Sequence, residues 1–129
     1  MKYAKKLLRA AFLIGAVIDA LMIPLMLVPE LARIFWGFSD CGLTYRYAMM
    51  MGAALMLGWT LLLIWAYIKP VERRDVALFT VIVIIGIAAA NVYAVASGLI
   101  PATRMILSWS MQTLLLVILG IGYFGSVKR

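Results

Sequence analysis

Four long apolar runs govern what this chain can fold into. They cover about Leu7–Val28, Tyr45–Ile68, Val76–Ser97 and Ala102–Phe124 of the 129 residues. Each is long enough to carry a helix across a bilayer, which takes about 20 residues for a hydrocarbon core of roughly 30 Å. The runs are continuous rather than alternating, which selects helices over a β-barrel. Lipid also obliges every backbone N–H and C=O to find its partner within the protein. The hydrophobic fraction is 67% and the mean hydropathy +1.09, against about 45–50% apolar content in a soluble domain. Too little chain lies outside the runs to build a soluble domain. The expected architecture is an all-α integral membrane protein, a single domain over residues 1–129, with four transmembrane helices in an up-down bundle.

The charge is arranged to match. Of twelve Lys and Arg residues, Lys2, Lys5, Lys6 and Arg9 precede or open the first run, Lys69, Arg73 and Arg74 lie between the second and third, and Lys128 and Arg129 follow the fourth. A four-span chain brings all of these to one side and leaves only Arg33, Arg46 and Arg104 on the other. The positive-inside rule then makes both termini cytoplasmic. The net charge of +7 is a topology signal, with attraction to anionic membrane lipid as a secondary effect. It lacks the footprint of a nucleic-acid binder, and no nucleic-acid partner is expected. The basic N-terminus followed by an apolar stretch imitates a signal peptide. However, the stretch is long, holds Asp19 and Pro24, and lacks a small-x-small cleavage site before Pro29, so it reads as an uncleaved first span. The expected location is the cell membrane of a bacterium or archaeon.

The connections are short except the first external one, residues 29–44. Within it Leu31, Ile34, Phe35 and Phe38 recur at helical spacing beside Trp36, which predicts a short amphipathic helix at the interface, acting as an aromatic anchor or a lid. Asp40 or Thr44 is expected to cap the second span and Asp75 the third. Gly98 suits a helix C-terminus and Pro101 a helix first turn. Cys41 is alone, and His is absent. No zinc, haem or iron–sulfur ligand set exists, and no cofactor is expected. The nine Met residues read as gap-fillers rather than a copper site.

Small residues mark where helices approach closely in lipid. Gly86, Ala90, Ala94 and Gly98 recur at steps of four in the third span, and this stripe is expected to meet another helix, in this chain or a neighbour. Ala54 and Gly58 do the same in the second span. In the first, Ala11 and Gly15 lead at the same step to Asp19.

Asp19 is the one carboxylate deep inside a span. A central Asp costs about 2.5–3.5 kcal/mol on insertion scales and usually faces the bundle interior or a wet cavity. At about 1.5 Å rise per residue it lies about 13 Å below the outer end of its helix. Gln112 lies at a similar depth in the fourth span and Asn91 slightly further out in the third. Arg104, Ser108 and Gln112 form an i, i+4 row down the fourth span, and Arg46 stands at the outer rim of the second. Pro24 cannot donate to the Ala20 carbonyl, which leaves a free acceptor one turn from Asp19. Interrupted helices beside acids are one way membrane proteins build sites.

The predicted ligand-binding set is therefore Asp19, Asn91, Gln112, Ser108, Arg46 and Arg104, around an outward-facing polar cavity for a small or amphipathic ligand. A second reading makes the layer interhelical glue in an accessory or structural subunit or a homo-oligomer, with Asp19 paired to Arg46, Arg104 or another chain. A third, a membrane enzyme acting on a lipid-soluble substrate, lacks a second acid, His or Cys beside Asp19 for acid–base or nucleophilic work. Small multidrug transporters also have four short spans with an acid in the first. The longer external loop and strong one-sided charge bias separate this chain from them, and no family resemblance is assigned.

Overall fold

The computed structural model describes residues 2–127. Lys128 and Arg129, two of the cations assigned to the cytoplasmic side, lie outside the described residues. The described chain is entirely helical: α1 (Lys2–Leu27), α2 (Pro29–Trp36), α3 (Leu43–Ile68), α4 (Asp75–Ala96) and α5 (Ala102–Val127). Among these, α1, α3, α4 and α5 are long and apolar enough to cross a membrane, and the chain is a multi-pass integral membrane protein. They correspond to the four runs. α1 starts five residues earlier than its run, at Lys2, because Lys is a good helix former and continues the helix into the interface. The short α2 falls where the spacing of Leu31, Ile34 and Phe35 placed an amphipathic helix.

The helices are ordered α3–α1–α5–α4 across the molecule: α1 packs on both α3 and α5, α4 packs on α5, and α3 barely touches α4. Two clusters hold this arrangement. The first lies toward the end that carries Lys2–Arg9 and the 69–74 connection, called here the basic end. It joins Leu8, Ala11, Phe12 and Ala16 of α1, Leu63 and Ala66 of α3, Val76, Ala77 and Ile84 of α4, and Leu115 and Leu119 of α5. The second lies at the α2 end. It joins Ala94 of α4, Ile100 and Met105, with Trp36, Phe38 and Trp109 packed against them. No α3 residue belongs to it, although Tyr45 of α3 meets Phe38 edge-on at 5.6 Å. The seam between α3 and α4 is thus closed by shared core at the basic end and is poorly packed toward the α2 end.

Glycine sets the close approaches. A Cβ on Gly122 would stand 3.0 Å from Leu8 Cγ and Cδ2 and 3.3 Å from the Leu8 nitrogen, so α5 meets α1 backbone to backbone only because no side chain intervenes. The stripe expected to do this does not. Gly86 and Ala90 are exposed, Gly86 would meet nothing within 4 Å, and only Ala94 is buried. Gly58 is likewise open and Ala54 exposed. Spacing shows that a close approach is permitted, not that it occurs within the chain.

Three helix ends also depart from expectation. The residue preceding α4 is Arg74, and Asp75 occupies the first turn, where it complements the helix dipole without capping. Gly42 precedes α3, and the Asp40 carboxylate accepts from the Gly42 N–H at 3.2 Å, a turn contact that replaces a cap by Asp40 or Thr44. Pro101 stands just before α5, its carbonyl accepting from Arg104 N at 3.0 Å. Gly98 does end α4, with φ of 74° and the adjacent Leu99 N–H donating to the Ala94 carbonyl at 2.9 Å. The long helix α1 continues through Pro24 to Leu27, so the proline interrupts one hydrogen bond without ending the helix.

Candidate functional site

The depth of Asp19 follows from contacts on either side of it. Gly15 faces Leu63 of α3, where a Cβ would stand 3.1 Å from Leu63 Cδ1, and Met26 Sδ lies 3.6 Å from the Cβ position of Gly52. Asp19 stands four residues beyond Gly15 and seven before Met26. Trp59 stands four residues before Leu63 and seven beyond Gly52. In antiparallel helices both anchors therefore set Asp19 level with Trp59. Gly15, Asp19 and Met26 share one stripe of α1, the stripe turned to α3. On the other side, Leu8 against Gly122 sets Asp19 level with Met111, next to Gln112.

Three polar groups at this level lack partners among the described residues, while the hydroxyls of Thr60, Ser110 and Thr113 bond back to carbonyls of their own helices. Asp19 is half-buried and makes no hydrogen bond or ion pair among the described residues, where the salt bridge found is Lys69–Glu72 at 3.0 Å. Trp59 Nε1 is buried with no acceptor, and Gln112 Oε1 is buried with no donor. Gln112 continues the inward stripe of Ser108, Leu115, Leu119 and Gly122 on α5. Tyr45 Oη, at the α2 end, is likewise buried without a partner among the described residues; between it and the Asp19 level, Asn91 Nδ2 of α4 donates to Ser108 Oγ of α5 at 3.3 Å. That bond ties the two helices beyond the unpaired level.

The two arginines expected above the layer do other things. Arg104 Nη1 donates to the Ile34 carbonyl at 2.6 Å and to the Phe35 carbonyl at 3.4 Å. These are among the last carbonyls of α2, which no intrahelical donor satisfies. Its guanidinium also lies against Gly37, where φ is 80° and a Cβ would meet Arg104 Cζ at 3.3 Å. Both constraints call for glycine there. Arg104 is thus a clamp on the amphipathic helix, not a partner of Asp19. Arg46 is exposed on the first turns of α3 and makes no ion pair among the described residues.

The chain matches no family model, no curated protein and no solved structure.

Trp59 joins the candidate residues only through the structure. Its signal was present: tryptophan belongs to the interfacial belts of membrane proteins, and one well inside a span has to place an N–H in the interior. Among the described residues no group of three or more His, Cys, Asp or Glu side chains could share an ion. A groove of about 560 Å³ runs along α5 beside Leu116, Gly120 and Phe124, and another of about 340 Å³ lies at the basic end beside Lys5 and Lys69. Neither includes Asp19. What the Asp19 level offers is one carboxylate, one N–H donor and one amide acceptor on three helices of an apolar bundle.

Proposed function

We propose that this chain is a small membrane binding or transport protein. Its Asp19 level would hold a small amphipathic ligand that brings a positive charge or a hydrogen-bond donor to the carboxylate. The observation that carries the reading is that Asp19, Trp59 Nε1 and Gln112 Oε1 are all unpartnered at one depth. A buried polar group without a partner costs about 1–3 kcal/mol, so a ligand satisfying several at once gains what the protein forgoes. The apolar residues of the surrounding helices suit the rest of such a ligand. Entry runs from the α2 end along the α3–α4 seam, with α2 and its Arg104 clamp above it. In this account both termini and the 69–74 connection are cytoplasmic, the four spans alternate up and down, and α2 lies at the outer surface of the cell membrane.

The test uses tetraphenylphosphonium and an uncharged tetraphenyl analogue, with purified protein in detergent and tryptophan fluorescence as the readout. The account expects the cation to change the emission saturably, with the response lost in Asp19→Asn and reduced in Trp59→Phe. Equal binding of the cation by wild type and Asp19→Asn would overturn it.

A second reading is favoured by one observation. Gly86, Ala90, Ala54 and Gly58 present small, exposed surfaces on α4 and α3, the kind of surface through which helices of separate chains associate. On that reading the protein is a homo-oligomer or an accessory subunit, and Asp19 meets its partner in another chain. Loss of the oligomer in Asp19→Asn, by light scattering in detergent, would favour it over the first.

A further inference from the structure

The cations of the basic end divide into two groups. The arginines contact other parts of the chain. Arg9 of α1 lies over the Tyr67 ring of α3 at 5.0 Å. Arg73 lies over the Trp65 ring at 3.7 Å and donates to the Trp65 carbonyl. Arg74 donates to the Ser126 carbonyl of α5 at 3.0 Å. The planar guanidinium suits these stacked and carbonyl-bound positions. The lysines face outward. Lys2, Lys5 and Lys6 are exposed on the first turns of α1, and Lys69 follows α3.

Lys5 and Lys69 meet across one groove of about 340 Å³, lined also by Ile68, Pro70, Val71 and Glu72. Pro70 is fully buried, and Ile68 presents an exposed apolar side chain at the end of its span. Glu72 is the one carboxylate in the lining, and it is bridged to Lys69 at 3.0 Å. Lys5 has no carboxylate partner among the described residues. The groove therefore has two ammonium groups against one carboxylate, with Lys2 and Lys6 nearby. It opens where the apolar spans begin, so cations and an apolar wall stand side by side at headgroup depth.

We propose that this groove is a docking site for a phospholipid with an anionic headgroup. The phosphate lies between the Lys5 and Lys69 ammonium groups, and the first acyl segment runs along Ile68. Basic pockets between helices at a membrane surface take anionic headgroups in this way. Ile68 and the position at the span ends commit the site to a lipid rather than a soluble phosphate. The proposal is independent of what binds at Asp19.

The test places the full-length protein in phosphatidylcholine vesicles at low salt with a small fraction of spin-labelled phosphatidylglycerol or spin-labelled phosphatidylcholine. The measured quantity is the motionally restricted fraction of each label. Wild type should restrict the anionic label several-fold more than the zwitterionic one. Lys5→Gln with Lys69→Gln should abolish the preference, each lysine contributing up to about five-fold. Glu72→Gln, which frees Lys69, should strengthen it, a gain that no misfolded variant would give. Lys2→Gln with Lys6→Gln removes the same charge from beside the groove and should keep most of the preference. The proposal is overturned if wild type shows no preference or if the Lys5/Lys69 variant retains it. It is equally overturned if the Lys2/Lys6 variant loses as much, or if soluble glycerol phosphate displaces the anionic label.

Discussion

Asp19 and Arg104 look from the sequence like two halves of one device, a buried acid and a base two turns above the same layer. Their side chains part company. Arg104 reaches sideways to the Ile34 and Phe35 carbonyls, and a long flexible side chain has that freedom where a helical row of positions suggests none. Asp19 remains unpaired among the described residues. Arg104→Ala should therefore leave the four spans folded and release α2, at about 1–2 kcal/mol for the lost charged hydrogen bonds. Limited proteolysis should then cut the 37–42 connection faster, and Arg104→Lys should recover part of the protection. The depths of Asp19, Gln112 and Asn91 were legible because helical rise is regular. Trp59 was not, because the polar edge of a tryptophan hides in an apolar count.

The limits of each helix were legible to within a few residues at most ends, since an apolar run has to reach from one interface to the other. Which faces meet was not. Small residues license close approach on every stripe they occupy, and the chain uses Gly122 while leaving Gly86 and Ala90 open. The two kinds of glycine should behave oppositely. Gly122→Ala drives a methyl against Leu8 and its backbone and should destabilise the protein by about 1–3 kcal/mol. Gly86→Ala meets open space and should be neutral, or stabilising by up to about 1 kcal/mol through helix propensity. Ala90→Leu should leave the melting temperature of a monomer unchanged. A marked loss in that variant would instead show that the α4 stripe is covered by a second chain. Melting curves followed by circular dichroism in detergent separate these outcomes.

At the scale of the whole molecule, the lopsided core and the lopsided charge fall at the same end. The larger cluster and the arginine contacts brace the basic end, while the α2 end is held by a small cluster and one arginine clamp. That division leaves the α3–α4 seam sparsely packed toward the α2 end, which predicts faster local opening there than at the basic end. Its sidedness can be checked in cells with a Cys41→Ser background. A cysteine introduced beside Asp40 should react with an impermeant thiol reagent from outside, and one introduced near the C-terminus should not. The reverse pattern would invert the topology and place the seam on the cytoplasmic side. The most direct test of the central claim, that Asp19 is kept for something other than holding the helices together, is the unfolding free energy of Asp19→Asn against wild type. A carboxylate without a protein partner predicts a change within about 1 kcal/mol, or a gain, because the substitution removes an unpaired buried charge. A loss of about 3–5 kcal/mol, the signature of breaking a buried ion pair, would contradict it.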